Sequence, residues 1–348
     1  MLLSSAQAPV SLHLLRLRPE GDPAQPSCTA VWVRRALQEG LLDLPLPGAG
    51  DTAARWATLG AIGAVDLDVA RLAEAHADAT AILADLAGDV GDPLAPTDRP
   101  RLWGVWAANP SDAPLTARPD GTRWRLDGTK PWCSGAGSCD AALVTARTEE
   151  GYRMFAVDLH HPGARPVEGS WSARSMTGSD SRSVAFTATP ATALGGPDAY
   201  LDRPGFWHGA VGVAAVWLGG ATGVAVPLGR SHRHRPLHPH ALAHAGALDA
   251  TLAAARALLA QSAAQFDADP HDRSGSAMRT ARRVRAVVEQ AVTEVVERVG
   301  RALGPGPLAG DAEHAKRVGD LQLYVRQSHA ERDLEDHGRH VLEQGWPR

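Results

Sequence analysis

The sequence predicts an α+β protein, mainly α, in which an N-terminal helical domain, a central antiparallel β domain and a C-terminal helical bundle follow one another. Three observations predict it. Apolar residues recur at helical spacing in the first hundred residues and again after Pro204-Gly205. Short strand-like runs bearing Trp, Val and Thr fill the interval, and breaker-rich stretches mark both junctions. The expected domains are residues 1–98, 99–203 and 204–348, and a chain of 348 residues can bury a sizeable shared core.

In the first domain Asp66-Leu67-Asp68 is a helix-start signal, followed by Val69, Leu72, Ala73, Ile82, Leu83 and Leu86 at amphipathic spacing. Gly91-Asp92-Pro93 through Pro100 ends that domain. Strand-like runs such as Trp124-Arg125-Leu126 and Leu143-Val144-Thr145 follow, with turns expected at Asp120-Gly121, Asp127-Gly128 and Pro162-Gly163. The bundle is clearest where Val284, Val287, Val288, Ala291, Val292, Val295, Val296 and Val299 form one stripe. Gly304-Pro305-Gly306 ends that helix, and a final helix is expected from about Glu313 to Glu343, carrying Leu321, Tyr324, Val325, Leu334 and Val341.

The formal charge is -4, with basic residues scattered rather than clustered, so nothing points to nucleic acid. Cys28, Cys133 and Cys139 are odd in number and lack a C-x-x-C spacing, which predicts a reducing, cytoplasmic setting without disulfides or structural zinc. Met1 to Leu17 shows no secretory pattern, and no uninterrupted apolar stretch reaches the ~18 residues that span a bilayer.

The segment from Trp124 to Ser134, W-R-L-D-G-T-K-P-W-C-S, resembles the central β-domain motif of the acyl-CoA dehydrogenase superfamily. In that family the segment forms a hairpin, with the Trp and the hydroxyl residue two positions later against the flavin ring. The resemblance implies FAD as cofactor, with Trp132 shielding the isoalloxazine and Ser134 bonding near its reducible nitrogen. Four further segments fall in family order. Asp66 to Leu86 resembles a helix of the N-terminal domain, and Val105-Trp106-Ala107-Ala108-Asn109-Pro110 the first flavin-contacting strand, so Trp106 and Ala108 are cofactor candidates, Ala108 standing where the family has a hydroxyl. Ser175 to Ser179 with Val184-Ala185-Phe186 resembles the strand pair before the last β turn. Arg301 to Gly306 with Arg317-Val318-Gly319-Asp320 is similar to the late turn and helix that touch a neighbouring subunit's cofactor, which implies an oligomer and brings in Gly304 and Gly306.

A dehydrogenase of this family abstracts an α-proton from an acyl thioester, linked to coenzyme A or a carrier protein, while hydride passes to FAD, so it needs a general base. Counted from Asp320, the family's Glu-Gly-Thr triplet falls on Ser328-His329-Ala330, which puts Ser328 at the carboxylate position. The alternative position, within Phe206 to Gly223, holds no carboxylate either. His208, His329 and Glu331 are the neighbouring candidates, Glu331 also reading as part of a solvated charged face. The family's pyrophosphate-contacting segment is replaced by Gly229 to His240, whose prolines suggest an irregular loop. Its imidazoles lack a carboxylate or Cys companion, so no metal is expected, and its arginines suit phosphate. The resemblance therefore implies an acyl-thioester dehydrogenase with an electron-transfer partner. Three alternatives stand beside it: a non-catalytic companion subunit of a Glu-bearing homologue, a flavin-dependent monooxygenase, and a flavin-free scaffold.

Overall fold

The computed structural model describes residues 7–88, 93–94, 98–109, 115–234, 236–343 and 345. Helices α1 (Gln7–Arg16), α2 (Pro26–Gln38), α3 (Thr52–Val65) and α4 (Leu67–Leu86) precede seven strands. These are β1 (Trp103–Trp106), β2 (Thr116–Asp120), β3 (Arg123–Cys133), β4 (Ala141–Thr148), β5 (Gly151–Asp158), β6 (Ala164–Val167) and β7 (Arg182–Leu194). Then come α5 (Ala199–Asp202), α6 (Pro204–His234), α7 (Pro239–Ala268), α8 (Ala277–Leu303), α9 (Gly306–Gly310), α10 (Ala312–Tyr324) and α11 (Glu331–Glu343).

Contacts divide the chain into two compact units that do not follow chain order. One comprises residues 17–44 and 71–206; the other comprises residues 1–16, 45–70 and 207–348.

In the sheet unit, β4, β5, β7, β3 and β2 pair in a closed ring, with β1 added on β4 and β6 on β7. The expectation of a purely antiparallel domain is corrected: β1 and β2 both run parallel to β4. The connection from β1 to β4 contains the whole β2–β3 hairpin, long enough for the crossover that parallel pairing requires. Side chains along β4 and β5 alternate between two cores. Ala142, Val144, Phe155 and Val157 enter the interior with Trp106, Leu126 and Phe186. Ala141, Leu143, Met154 and Ala156 face outward onto Ala79 and Ile82 of α4. Both faces are covered over residues 141–144 and 154–157, so those runs are continuously apolar rather than alternating.

Asp120-Gly121 makes the β2–β3 turn, with Gly121 at φ 61. Asp127-Gly128 does not turn the chain: Gly128 lies inside β3 at a register shift against β7. A lone Asp-Gly signals positive φ, which a bulge satisfies as well as a hairpin.

In the helical unit, Asp66 Oδ1 accepts from the Val69 amide and starts α4 as its side chain predicts. The valine stripe of α8 is buried at Val284, Val288, Val292, Val295 and Val299, and Gly304 at φ 67 ends that helix. Close approach of α3 and α6 requires glycine: a Cβ on Gly219 would stand 2.0 Å from the Gly60 carbonyl oxygen. Residues 204–233 are long and apolar enough by composition to cross a membrane, but 83% of the most apolar window is buried. A tolerated His, Thr or Gly keeps its mean hydropathy high although no uninterrupted apolar run is present, and its burial is that of a core helix. Two further expectations change. Residues 229–234 continue α6 rather than forming a loop, and the His238 side chain accepts from the His240 amide to start α7. The single final helix is broken after Tyr324 by a short 3-10 turn, Val325–Gln327, and restarts at Glu331.

Candidate functional site

Within the sheet unit, the residues predicted to meet a flavin gather around the end of β3. Trp132 sits at φ 56, in the left-handed region that bulky residues avoid, within the register shift between Lys130 and Cys133. Trp132 is 59% exposed, whereas Trp103 and Trp106 are buried. Trp106 is buried, and its indole N–H donates to the Ser134 carbonyl at 2.9 Å, fixing the backbone just past Trp132. The next turn is held by Asp180, which accepts from the Ala136 and Gly137 amides through its carbonyl and carboxylate and pairs with Arg182. Strain at Trp132 is thus imposed by a rigid surround, the condition under which an outlier marks a site.

The Ser134 hydroxyl is buried, and counting protons fixes its role. Ser179 donates to the Met176 carbonyl at 2.7 Å, so Ser181 must donate in its 2.8 Å contact with Ser179. Ser134 must then donate to Ser181 at 2.9 Å, while accepting from Arg71 Nε at 3.1 Å. Its proton points inward, which leaves only a lone pair for any ligand. Arg71 is braced in turn by Glu74 at 2.5 Å.

Ala108 is exposed and offers backbone and a methyl group only. Its neighbour Asn109 was not singled out in the sequence, yet Lys130 and Thr145 hold its side-chain oxygen at 2.7 and 3.0 Å. The signal was the Lys of D-G-T-K-P-W, which lies 1% exposed within the sheet. An exposed, electron-rich indole fits the face of a planar, electron-accepting ring such as a flavin.

The other candidates lie in the helical unit. Ser328 follows the 3-10 turn, is buried, and donates to Glu289 Oε2 at 2.6 Å. Glu289 Oε1 pairs with Arg326 at 3.0 Å. Arg285, one turn earlier on α8, donates to the Ala210 and Gln327 carbonyls and stacks on Trp217 at 4.7 Å. Together Arg285 and Glu289 dock the 325–328 segment on α8. A small pocket there is lined by Arg282, Arg285, Glu289, Ser328 and Asp333. His329 turns outward to Asp333 at 3.3 Å, and Glu331 is exposed in the first turn of α11. His208 is buried and stacked on Phe266 at 4.2 Å. Gly304 and Gly306 flank the α8–α9 corner, Gly306 exposed. Arg317 points inward, donating to the Val65 carbonyl, and burial lowers its pKa. Among the described residues no cluster of His, Cys, Asp and Glu is arranged to hold a metal.

No protein-family model matches the chain, and no curated protein matches it. Solved structures do. Dibenzothiophene monooxygenase (TdsC) from Paenibacillus sp. A11-2 superposes with a TM-score of 0.82 at 20% identity, covering 98% of this chain and 97% of that one. KijD3, solved with FMN and a dTDP-linked amino keto sugar, gives 0.79 at 19% identity over 99% and 95%. The Tcur3481-Tcur3483 steroid ACAD gives 0.73 at 22% identity over 97% of each chain. The chain has the acyl-CoA dehydrogenase-like fold.

Proposed function

We propose that this protein is a flavin-dependent monooxygenase built on the acyl-CoA dehydrogenase-like fold, using reduced flavin and molecular oxygen. The observation that carries the reading is the Ser328–Glu289 contact. At the position that the family resemblance gives to the base there is a buried hydroxyl, and the carboxylate nearest to it is engaged at both oxygens, by Ser328 and by Arg326. A carboxylate held at both oxygens is not free to meet a substrate proton, so α-proton abstraction lacks its main instrument. Oxygen chemistry on reduced flavin needs no such base. TdsC, which has been solved with FMN and indole, is a monooxygenase of similar fold, and it supports the same reading.

The flavin would supply two electrons to oxygen, and this chain's residues would bind and orient it. Trp132 would cover one ring face, and the inward-donating Ser134 would accept from a ring N–H. FAD remains the cofactor expected from the motif, and the FMN complexes of similar structures support FMN equally. An acyl thioester, an electron-transfer partner or a Glu-bearing companion subunit belongs to the competing dehydrogenase reading. The deciding experiment supplies purified protein with FMN or FAD, a flavin reductase and NADH, and measures oxygen uptake with candidate aromatic and sugar-nucleotide substrates. Substrate-dependent oxygen consumption supports the monooxygenase. Anaerobic bleaching of the oxidised flavin by acyl-CoA thioesters would overturn it in favour of the dehydrogenase.

A further inference from the structure

Lys130 is an unusual resident of a β-sheet interior. It is 1% exposed, and its ammonium donates to Asn109 Oδ1 at 2.7 Å, the Thr145 carbonyl at 2.6 Å and Thr145 Oγ1 at 2.8 Å. Three N–H groups meet three oxygens, so the cation is fully hydrogen-bonded, yet every partner is neutral. The ionisable group that bears on it is Cys133, a buried thiol whose pKa burial raises. A buried positive charge without a carboxylate is costly, and an apolar side chain of the same length would serve packing better. Such an uncompensated charge is the pattern expected where function outweighs stability.

The charge also settles the orientation of Asn109. Lysine is donor-only, so the carboxamide oxygen must face it, and the 3.0 Å contact from Thr145 Oγ1 holds the same oxygen. The Asn109 NH2 group therefore points away from Lys130, at the exposed end of β1 beside Ala108. Among the described residues it has no hydrogen-bond partner. Polarised by the ammonium behind it, this N–H is a stronger donor than an ordinary surface amide.

We propose that Lys130 is a positioning residue that, with Thr145, locks Asn109 as an outward donor backed by positive charge, so that the end of β1 favours the reduced, anionic flavin over the oxidised form. The inference rests on the flavin reading above and deepens it by naming the redox state that the site selects. Reduced flavin carries extra negative charge on its pyrimidine ring, and a fixed cation close behind a donor stabilises that form selectively.

The test measures dissociation constants for oxidised and dithionite-reduced FMN and FAD, with the bound-flavin potential, in the wild type and in Lys130→Met, Lys130→Arg and Asn109→Asp. The expected result is a ratio of reduced to oxidised affinity that falls at least tenfold in Lys130→Met, a potential lowered by about 30 mV or more for the two-electron couple. Lys130→Arg should keep most of the ratio. Asn109→Asp places a carboxylate on the ammonium, and it should fold at least as well while losing the preference. A merely structural role would change both affinities together, and that result, or an unchanged ratio in Lys130→Met and Asn109→Asp, overturns the inference. Should Lys130→Met fail to fold, Asn109→Asp decides alone. A wild-type chain that binds flavin but shows no preference for the reduced form overturns this inference and leaves the flavin reading standing; one that binds neither form overturns both.

Discussion

The hydroxyl of Ser328 donates to Glu289 Oε2 at 2.6 Å, across 39 residues of sequence, and ties the break between α10 and α11 to the middle of α8. Installing the family's carboxylate here would set two anions in contact. Ser328→Glu alone should destabilise the protein by roughly 1–3 kcal/mol, and adding Glu289→Gln should recover most of that loss. Ser328→Ala, which removes one hydrogen bond and leaves Glu289 on Arg326, should cost about 1 kcal/mol. Urea unfolding of the singles and the double measures the coupling. Additive losses in the double would mean that the two side chains do not interact in solution.

Trp132 separates stability from ligand binding. Its left-handed backbone costs about 1–2 kcal/mol for a residue with a Cβ, and its exposed ring contributes little burial in return. Trp132→Gly should therefore melt at the same temperature or higher while losing flavin affinity at least tenfold. Thermal melts paired with flavin-fluorescence titrations check both halves. A destabilised glycine variant would show that the indole packs against the protein rather than awaiting a ligand.

The order of helices, strands and helices was legible because the valine stripe of α8 and the Asp66 cap are local patterns. The motif around Trp132 was legible for the same reason, through resemblance. Ring closure of the sheet was not, since pairing β2 with β4 in parallel depends on contacts between residues 31 apart. Nor was the break at Ser328, which Arg285 and Glu289 impose from another helix. Asn109 escaped notice because its orientation is set by Lys130, 21 residues later, and an asparagine near a proline reads as a turn.

In the helical unit, Lys316 donates to Asp68 and Asp320 at 2.5 Å each, with Asp66 at 3.8 Å. Asp68 and Asp320 are 0% and 2% exposed, so two buried carboxylates share one ammonium. Burial pushes Asp68 up to about 7, helped by Asp66 and Asp320 and opposed by Lys316, whose own pKa the carboxylates raise against burial. Because the folded state holds this proton more tightly than the unfolded chain, the contribution of Asp68 to stability falls as pH rises from about 4 to 7. Lys316→Met should cost roughly 3–5 kcal/mol at pH 8 and distinctly less at pH 5. Denaturant unfolding at the two pH values measures the difference, and a loss independent of pH would remove Asp68 from the account.

Lys130 gives the opposite sign. Burial lowers its pKa to about 7 from 10.5, so between those values the unfolded chain binds a proton that the folded protein has shed. Below about pH 7 both states are charged, and the folded protein bears the whole cost of burying the ammonium. As pH rises toward 10.5 that cost is relieved, and the wild type gains stability from this group. Lys130→Met abolishes the dependence. It should therefore exceed the wild type by an amount largest at or below pH 7, on the order of a few kcal/mol, and this advantage should shrink steadily toward pH 10.5. Pairwise unfolding of the two proteins across that range cancels every other titrating group. A constant difference would mean that Lys130 stays charged throughout, held by an anion, and the neutral-oxygen cage around its Nζ would no longer describe it.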